Sequence, residues 1–205
     1  MSEGIGARVL RKEDKRFVTG KGRYTDDIVE PNQAYAIFVR SPHAHAEVKG
    51  IDKSAALAME GVIDVLDGNQ LTADEIGNII CGWGITSKDG TPMNMGAWSA
   101  LATTKVRYVG DAVAVVIADT KAQAQAAAEA VDVDYNVLPA VSNVLASMAD
   151  GAPQIHENAP GNLIYDWEIG LKDETDAALA SAAHTTTMDV TNNRLSPNPM
   201  EPRSA

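Results

Sequence analysis

The chain has 205 residues, a formal net charge of −11 and 45% apolar residues. That acidity argues against a nucleic-acid partner, which calls for a basic face, while the apolar share suffices for a packed core without staples. The single cysteine, Cys81, excludes an internal disulfide and fits a reducing compartment; no apolar run approaches the roughly 20 residues that span a bilayer, and the first residues lack the apolar stretch of a secretory signal, so a cytoplasmic protein is expected.

In chain order, residues 1–19 are polar and basic and read as an arm that packs on another body or stays unstructured. Residues 20–27, GKGRYTDD, read as a tight turn: no buried strand precedes the two glycines and no helix follows, so a phosphate loop is not supported. Residues 33–40 and 47–51 predict strands, separated by Ser41-Pro42-His43-Ala44-His45-Ala46. Residues 54–59 predict one or two helical turns stopped by Gly61, and residues 62–66 a third strand closed by Asp67-Gly68. Residues 71–98 are broken by glycines 77, 82, 84, 90 and 96 and by Pro92, and predict irregular structure that Trp83 and Trp98 anchor on the core.

The clearest unit is residues 105–139. Residues 112–118, AVAVVIA, form an unbroken valine-rich run that predicts a strand buried on both faces. Thr120 and Gln123 have capping-box spacing. Residues 121–130 consist almost wholly of Ala, Gln, Lys and Glu, strong helix formers. Ala122, Ala126 and Ala130 are expected to form the face of this helix that lies on the sheet. Residues 131–135 alternate Val and Asp before Tyr135, a strand with one wet face, and Pro139 ends the unit. Beyond it, residues 142–148 predict a short helix, 151–162 a proline- and glycine-rich surface linker, 163–169 a strand, 173–183 an amphipathic helix with acids at its start, and 184–191 a threonine-rich strand. Residues 196–205 are polar and proline-dense.

Several residue types invite a chemical reading, and each has a structural one that is preferred. His43 and His45, two apart, would share a strand face and could grip a metal, but no Cys, Asp or Glu pattern completes four ligands. Met93 and Met95 offer two thioethers, a weak soft-metal site and better gap fillers. Cys81 has no basic neighbour to lower its pKa and reads as a small buried hydrophobe. Asp26, Asp27 and Glu201 have no readable base partner, and Glu201 with Arg203 reads as the closing of a strand end. A nucleotide-binding reading of the 105–139 unit fails on its Ala118-Asp119-Thr120-Lys121 turn, where a phosphate would need glycines and would meet an aspartate.

Together, GKGRYTDD (20–27), FVRSPHAHA (38–46), KVRYVGDAVA (105–114), VDYNVLPA (133–140), His156-Glu157 and MEPR (200–203) resemble the large subunit of molybdenum hydroxylases. This is the superfamily of xanthine dehydrogenase, aldehyde oxidase and aerobic carbon monoxide dehydrogenase. The order of these stretches carries the resemblance over nearly the whole chain, and RSPHAHA and PMEPR look most like the carbon-monoxide-dehydrogenase-type branch. At the position of the glutamine that lies near the metal's oxo group in xanthine-oxidising members stands the pair Arg194-Leu195, so that glutamine is missing here.

The resemblance implies an α+β fold: an α/β-hammerhead domain at 20–140 after an arm at 1–19, a linker at 141–162, and the beginning of a molybdopterin-binding domain at 163–205. It implies the N-terminal part of the molybdopterin-binding large subunit of an oxidoreductase acting on carbon monoxide, an aldehyde or an N-heterocycle, this part being scaffold and subunit contact. A stand-alone, non-catalytic interaction module on the same fold is the competing expectation. The cofactor that the resemblance implies for the full-length subunit is molybdopterin with molybdenum, expected in the cytosine dinucleotide form. Its partners are the rest of the large subunit, an FAD-binding medium subunit and a 2Fe-2S small subunit. No residue of the chain is assigned a catalytic, cofactor-binding or metal-ligating role, and the fragment alone is expected to be inactive and to hold no cofactor.

Overall fold

The structure, a computed structural model, describes residues 4–6, 9–192, 195–199 and 201. The chain divides into two compact units, Met1–Gln33 with Thr186–Ala205, and Ala34–Thr185.

The larger unit holds two three-stranded antiparallel sheets. The first has the order β1 (Tyr35–Arg40), β5 (Ala112–Ala118), β3 (Val62–Asp67); the second has the order β4 (Lys105–Val106), β2 (Ala46–Asp52), β6 (Asp132–Val137). β5 is the centre of the first sheet, pairing Phe38 with Val115 on one side and Leu66 with Val115 on the other. Because it is central and covered on both faces, its run needs no polar alternation. Val113 enters a core with Ala46, Ala102 and Val106 between the two sheets, and Val116 enters a second core with Ala56, Val65 and Ala127 under the helices. Val39 packs against both. The strand predicted over 112–118 is therefore present and doubly buried.

Helix α4 (Lys121–Glu129) lies over β1 and β5 beside the short helix α2 (Ser54–Leu57). Thr120 caps it, its hydroxyl accepting from the Gln123 N–H at 3.2 Å and donating to Gln123 Oε1 at 2.7 Å. The face turned to the sheet differs from the expectation. Ala124 and Ala127 are fully buried, whereas Ala122 and Ala126 are exposed and Ala130 only half-buried. The helix carries alanines on two stripes, so composition cannot phase it; the sheet below does, by seating Ala127 against Val116 and Val65. Gly61 then passes close to the first turn, with φ of 79°, and a Cβ there would meet the Gln123 side chain at 2.2 Å. Gly61 therefore serves a turn three residues beyond the C-cap of α2, Ala58, rather than ending that helix.

β3 runs directly into α3 (Gly68–Ala73), a helix absent from the sequence reading. Asp67 caps it, accepting from the N–H groups of Asn69 at 2.9 Å and Gln70 at 3.0 Å. The Asp67-Gly68 pair that closes a strand thus also opens a helix. After α3 the chain to residue 104 has only an isolated bridge, Thr86 to Pro92. Two expectations for this stretch are overturned. Trp83 and Trp98 are 79% and 61% exposed rather than anchored, and Cys81 is an exposed free thiol rather than a buried hydrophobe. Gly82 and Gly84 flank Trp83, and Ile79 and Ile80 before Cys81 are themselves exposed, so no core forms there.

Further corrections follow the same logic. The helix expected at 142–148 is a single 3-10 turn, Ala146–Met148. Residues 163–169 and 184–191 contain no regular strand among the described residues, although both alternate as strands do. A strand requires a partner, and neither stretch has one along its whole length. Helix α5 (Lys172–Ser181) forms as expected but buries no residue. Residues 151–162 are laced to the rest of their unit: Asn162 donates to the carbonyls of Ser147 at 2.8 Å and Pro153 at 2.9 Å, and Ala159 is buried.

In the smaller unit, the expected arm contains a five-residue helix, α1 (Asp14–Val18), and Phe17 stacks on Tyr24 at 5.9 Å. The GKGRYTDD turn ends in a 3-10 turn at Thr25–Asp27.

Candidate functional site

Lys105 and Arg107, two apart along and just beyond β4, present their cations on the same side and clamp Glu157 from the laced segment. Lys105 Nζ lies 2.5 Å from Oε1 and Arg107 Nη2 lies 3.0 Å from Oε2. Arg107 also donates from Nε to the Ile155 carbonyl at 3.2 Å, and its own N–H donates to Asp111 Oδ2 at 3.1 Å. The Lys105 hydrogen bond, then the backbone and Arg107 bonds, pull the Glu157 carboxyl down to about 2. Next to it, burial and then the Arg107 charge push His156 below the ordinary histidine range. Asn158 completes the strap by donating to the Met95 carbonyl at 2.5 Å.

Lys105 and Arg107 of the clamp also line a cleft of about 540 Å³, with apolar Ile79, Ile80, Met95, Trp98 and Tyr108 and polar Asn94, Ser99, Thr103, Thr104 and Asp111. The ring centroids of Trp98 and Tyr108 lie 6.4 Å apart, the rings tilted by 50° to each other. Cys81, Met93 and His156 reach the same cleft. Met93 Sδ is taken up in accepting the Ile85 N–H at 3.2 Å, and Cys81 Sγ donates to the Trp83 carbonyl at 3.4 Å. Among the described residues no group of three or more His, Cys, Asp and Glu could hold a metal ion.

The two histidines weighed as ligands separate. His43 sits edge-on to Tyr135 at 5.0 Å. His45 is 5% exposed, and its Nδ1 bonds the Pro139 carbonyl at 2.7 Å. Its Nε2 is buried with no hydrogen-bond partner among the described residues. The Nδ1 bond to a carbonyl fixes Nδ1 as the protonated nitrogen. That bond ties the entrance of β2 to the exit of β6, as does the Leu138 N–H to the His45 carbonyl at 2.9 Å. Asp27 Oδ2 accepts from the Tyr24 N–H at 2.9 Å, and Glu201 Oε1 from the Thr25 hydroxyl at 2.9 Å; both carboxylates do structural work. Arg194 and Arg203 lie outside the described residues. The sequence signal for the clamp was the alternate spacing of Lys105 and Arg107 and the pair His156-Glu157; their meeting is purely tertiary.

Two three-stranded antiparallel sheets, the first covered by α4 and α2, define an α+β domain. The family model for the aldehyde oxidase and xanthine dehydrogenase a/b hammerhead domain matches residues 19–139, and the chain belongs to that family. The carbon monoxide dehydrogenase large chain of Hydrogenophaga pseudoflava is 36% identical over 97% of this chain and 25% of its own length. The nicotine 6-hydroxylase large subunit of Paenarthrobacter nicotinovorans is 35% identical over 97% of this chain and 23% of its own. Among solved structures, reconstituted CO dehydrogenase from Oligotropha carboxidovorans matches with a TM-score of 0.66 and 33% identity, over 88% of this chain and 23% of that one. The chain thus spans about a quarter of the length of these two curated relatives.

Proposed function

We propose that this chain is the hammerhead-bearing part of the large subunit of a cytoplasmic molybdenum oxidoreductase. In this reading it serves as scaffold and subunit contact, and the chemistry is performed by polypeptide outside the matched quarter. The observation that supports this most directly is the agreement over 97% of the chain with two subunits, each called large in its own enzyme. Two relatives carry the words molybdenum-binding subunit in their names, and one solved structure is named a Cu,Mo-CO dehydrogenase.

The residues present do not fit the cofactor. No described cluster could ligate a metal. The longer helices begin behind Asp119-Thr120 and with Asp173 and Glu174 in the first turn, where carboxylates repel a phosphate. No catalytic step is therefore assigned to these residues. Molybdopterin, in its cytosine dinucleotide form, belongs in this reading to the remainder of the large subunit, alongside an FAD-binding and a 2Fe-2S subunit. The substrate class is carbon monoxide, an aldehyde or an N-heterocycle. Among the described residues no helix is long and apolar enough to cross a membrane.

The test is a chimera in which this chain replaces the matching quarter of the Hydrogenophaga large chain, expressed with that enzyme's other subunits. Assembly with near-stoichiometric molybdenum is expected, whereas this chain purified alone from the same host should carry none. An insoluble or metal-free chimera, or molybdenum in the lone chain, would sink the proposal.

A further inference from the structure

Residues 163–171 read Leu-Ile-Tyr-Asp-Trp-Glu-Ile-Gly-Leu, with large apolar side chains at every odd position. These five side chains, Leu163, Tyr165, Trp167, Ile169 and Leu171, are 40%, 41%, 55%, 79% and 65% exposed. Period-two alternation is the signature of a strand with one covered face, yet that face is open here. The even positions hold the segment to its own unit: the Asn94 N–H donates to the Ile164 carbonyl at 2.8 Å and the Lys88 N–H to the Asp166 carbonyl at 2.7 Å. Among the described residues, the main chains of Tyr165, Trp167 and Ile169 make no backbone hydrogen bond. One edge of the segment is thus half-docked, while among the described residues its other edge makes no backbone hydrogen bond from Tyr165 to Ile169, and its apolar face is most open at Trp167, Ile169 and Leu171.

We infer that this stripe is a docking site for a polypeptide strand that pairs with the free edge and covers Trp167 and Ile169 with apolar side chains. The strand comes from the three quarters of a large chain that this chain does not match, an assignment that rests on the function proposed above. Aromatic and aliphatic side chains in line with unpaired backbone groups are what strand addition recognises, and a contiguous exposed apolar patch marks a covered surface. Acids interleave and follow the stripe, at Asp166, Glu168, Asp173 and Glu174, which disfavours an anionic lipid surface as the occupant.

The experiment uses the full 205-residue chain, tagged, with the unmatched three quarters of the Hydrogenophaga pseudoflava large chain expressed as a separate polypeptide. Capture of that polypeptide is expected for the unsubstituted chain and for Glu168→Gln. Binding about tenfold weaker or worse is expected for the double variant Trp167→Asp, Ile169→Asp, because two buried anchors become charges. Both side chains are exposed, so circular dichroism and melting of the double variant alone should match the unsubstituted chain. Equal capture by the double variant overturns the docking stripe and leaves the large-subunit reading standing. No capture by the unsubstituted chain overturns both. A dimer of the chain by itself, abolished in the double variant, assigns the stripe to a second copy and overturns the occupant named here.

Discussion

Replacing Ala127 with leucine tests the packing of α4 at its tightest point. Ala127 is fully buried among Ala56, Val65 and Val116, where the first sheet, α2 and α4 converge. Leucine adds three carbons at this fully buried site, and overpacking of this kind costs about 1–3 kcal/mol. At about 2–4 °C per kcal/mol for a chain of this size, Tm should fall by roughly 2–12 °C. Ala126→Leu, one residue away on the exposed face, changes helix propensity little and should stay within about 0.5 kcal/mol. Thermal and urea unfolding followed by circular dichroism at pH 7 measures both. Equal losses, or a larger loss at Ala126, would show that the helix is phased on its other alanine stripe.

Glu157→Gln removes a carboxylate held below its ordinary value, so its contribution is whole above about pH 4.5 and disappears as pH falls through about 2. The Glu157 side chain is 66% exposed and water screens the pair, so the gap between parent and variant in urea titrations should be only about 0.5–1 kcal/mol at pH 7. The gap should close between pH 4.5 and 2; a constant gap down to pH 2 would refute the clamp. Asp67 is 8% exposed, caps α3 and meets Lys53 at 2.8 Å. Burial pushes its carboxyl up, but Lys53 and the Gln70 and Asn69 N–H groups outweigh that and leave it below the usual range. Asp67→Ala should cost about 2 kcal/mol, and Asp67→Asn, which keeps a capping oxygen, distinctly less; equal losses would leave the cap without energetic weight. Gly68→Ala would bring a Cβ to 2.8 Å from the Ala102 carbonyl oxygen and 2.9 Å from that of Leu101, both backbone and unable to yield cheaply. It should cost about 1–3 kcal/mol in urea unfolding, whereas Gly77→Ala, with nothing within 4 Å, should be near neutral.

The features legible in the residues are those whose physical cause is local. An unbroken valine-rich run has only one comfortable home, so β5 and its burial on both faces could be read from residues 112–118 alone, and the Thr120 cap from its spacing to Gln123. The motif order from residue 20 to 140 likewise carried the hammerhead fold. What only the tertiary structure decided are matters of phase and partnership. An alanine-rich helix has two equivalent small faces, and the sheet beneath selected Ala124 and Ala127 over Ala122 and Ala126. The clamp joins residues 50 or more apart in sequence, which no local pattern encodes. Residues 163–171 and 184–191 alternate as strands but are not strands here, because a strand is completed by hydrogen bonds to a neighbour and by a face that buries its side chains. Alternation states that requirement, and only the assembled structure can meet it.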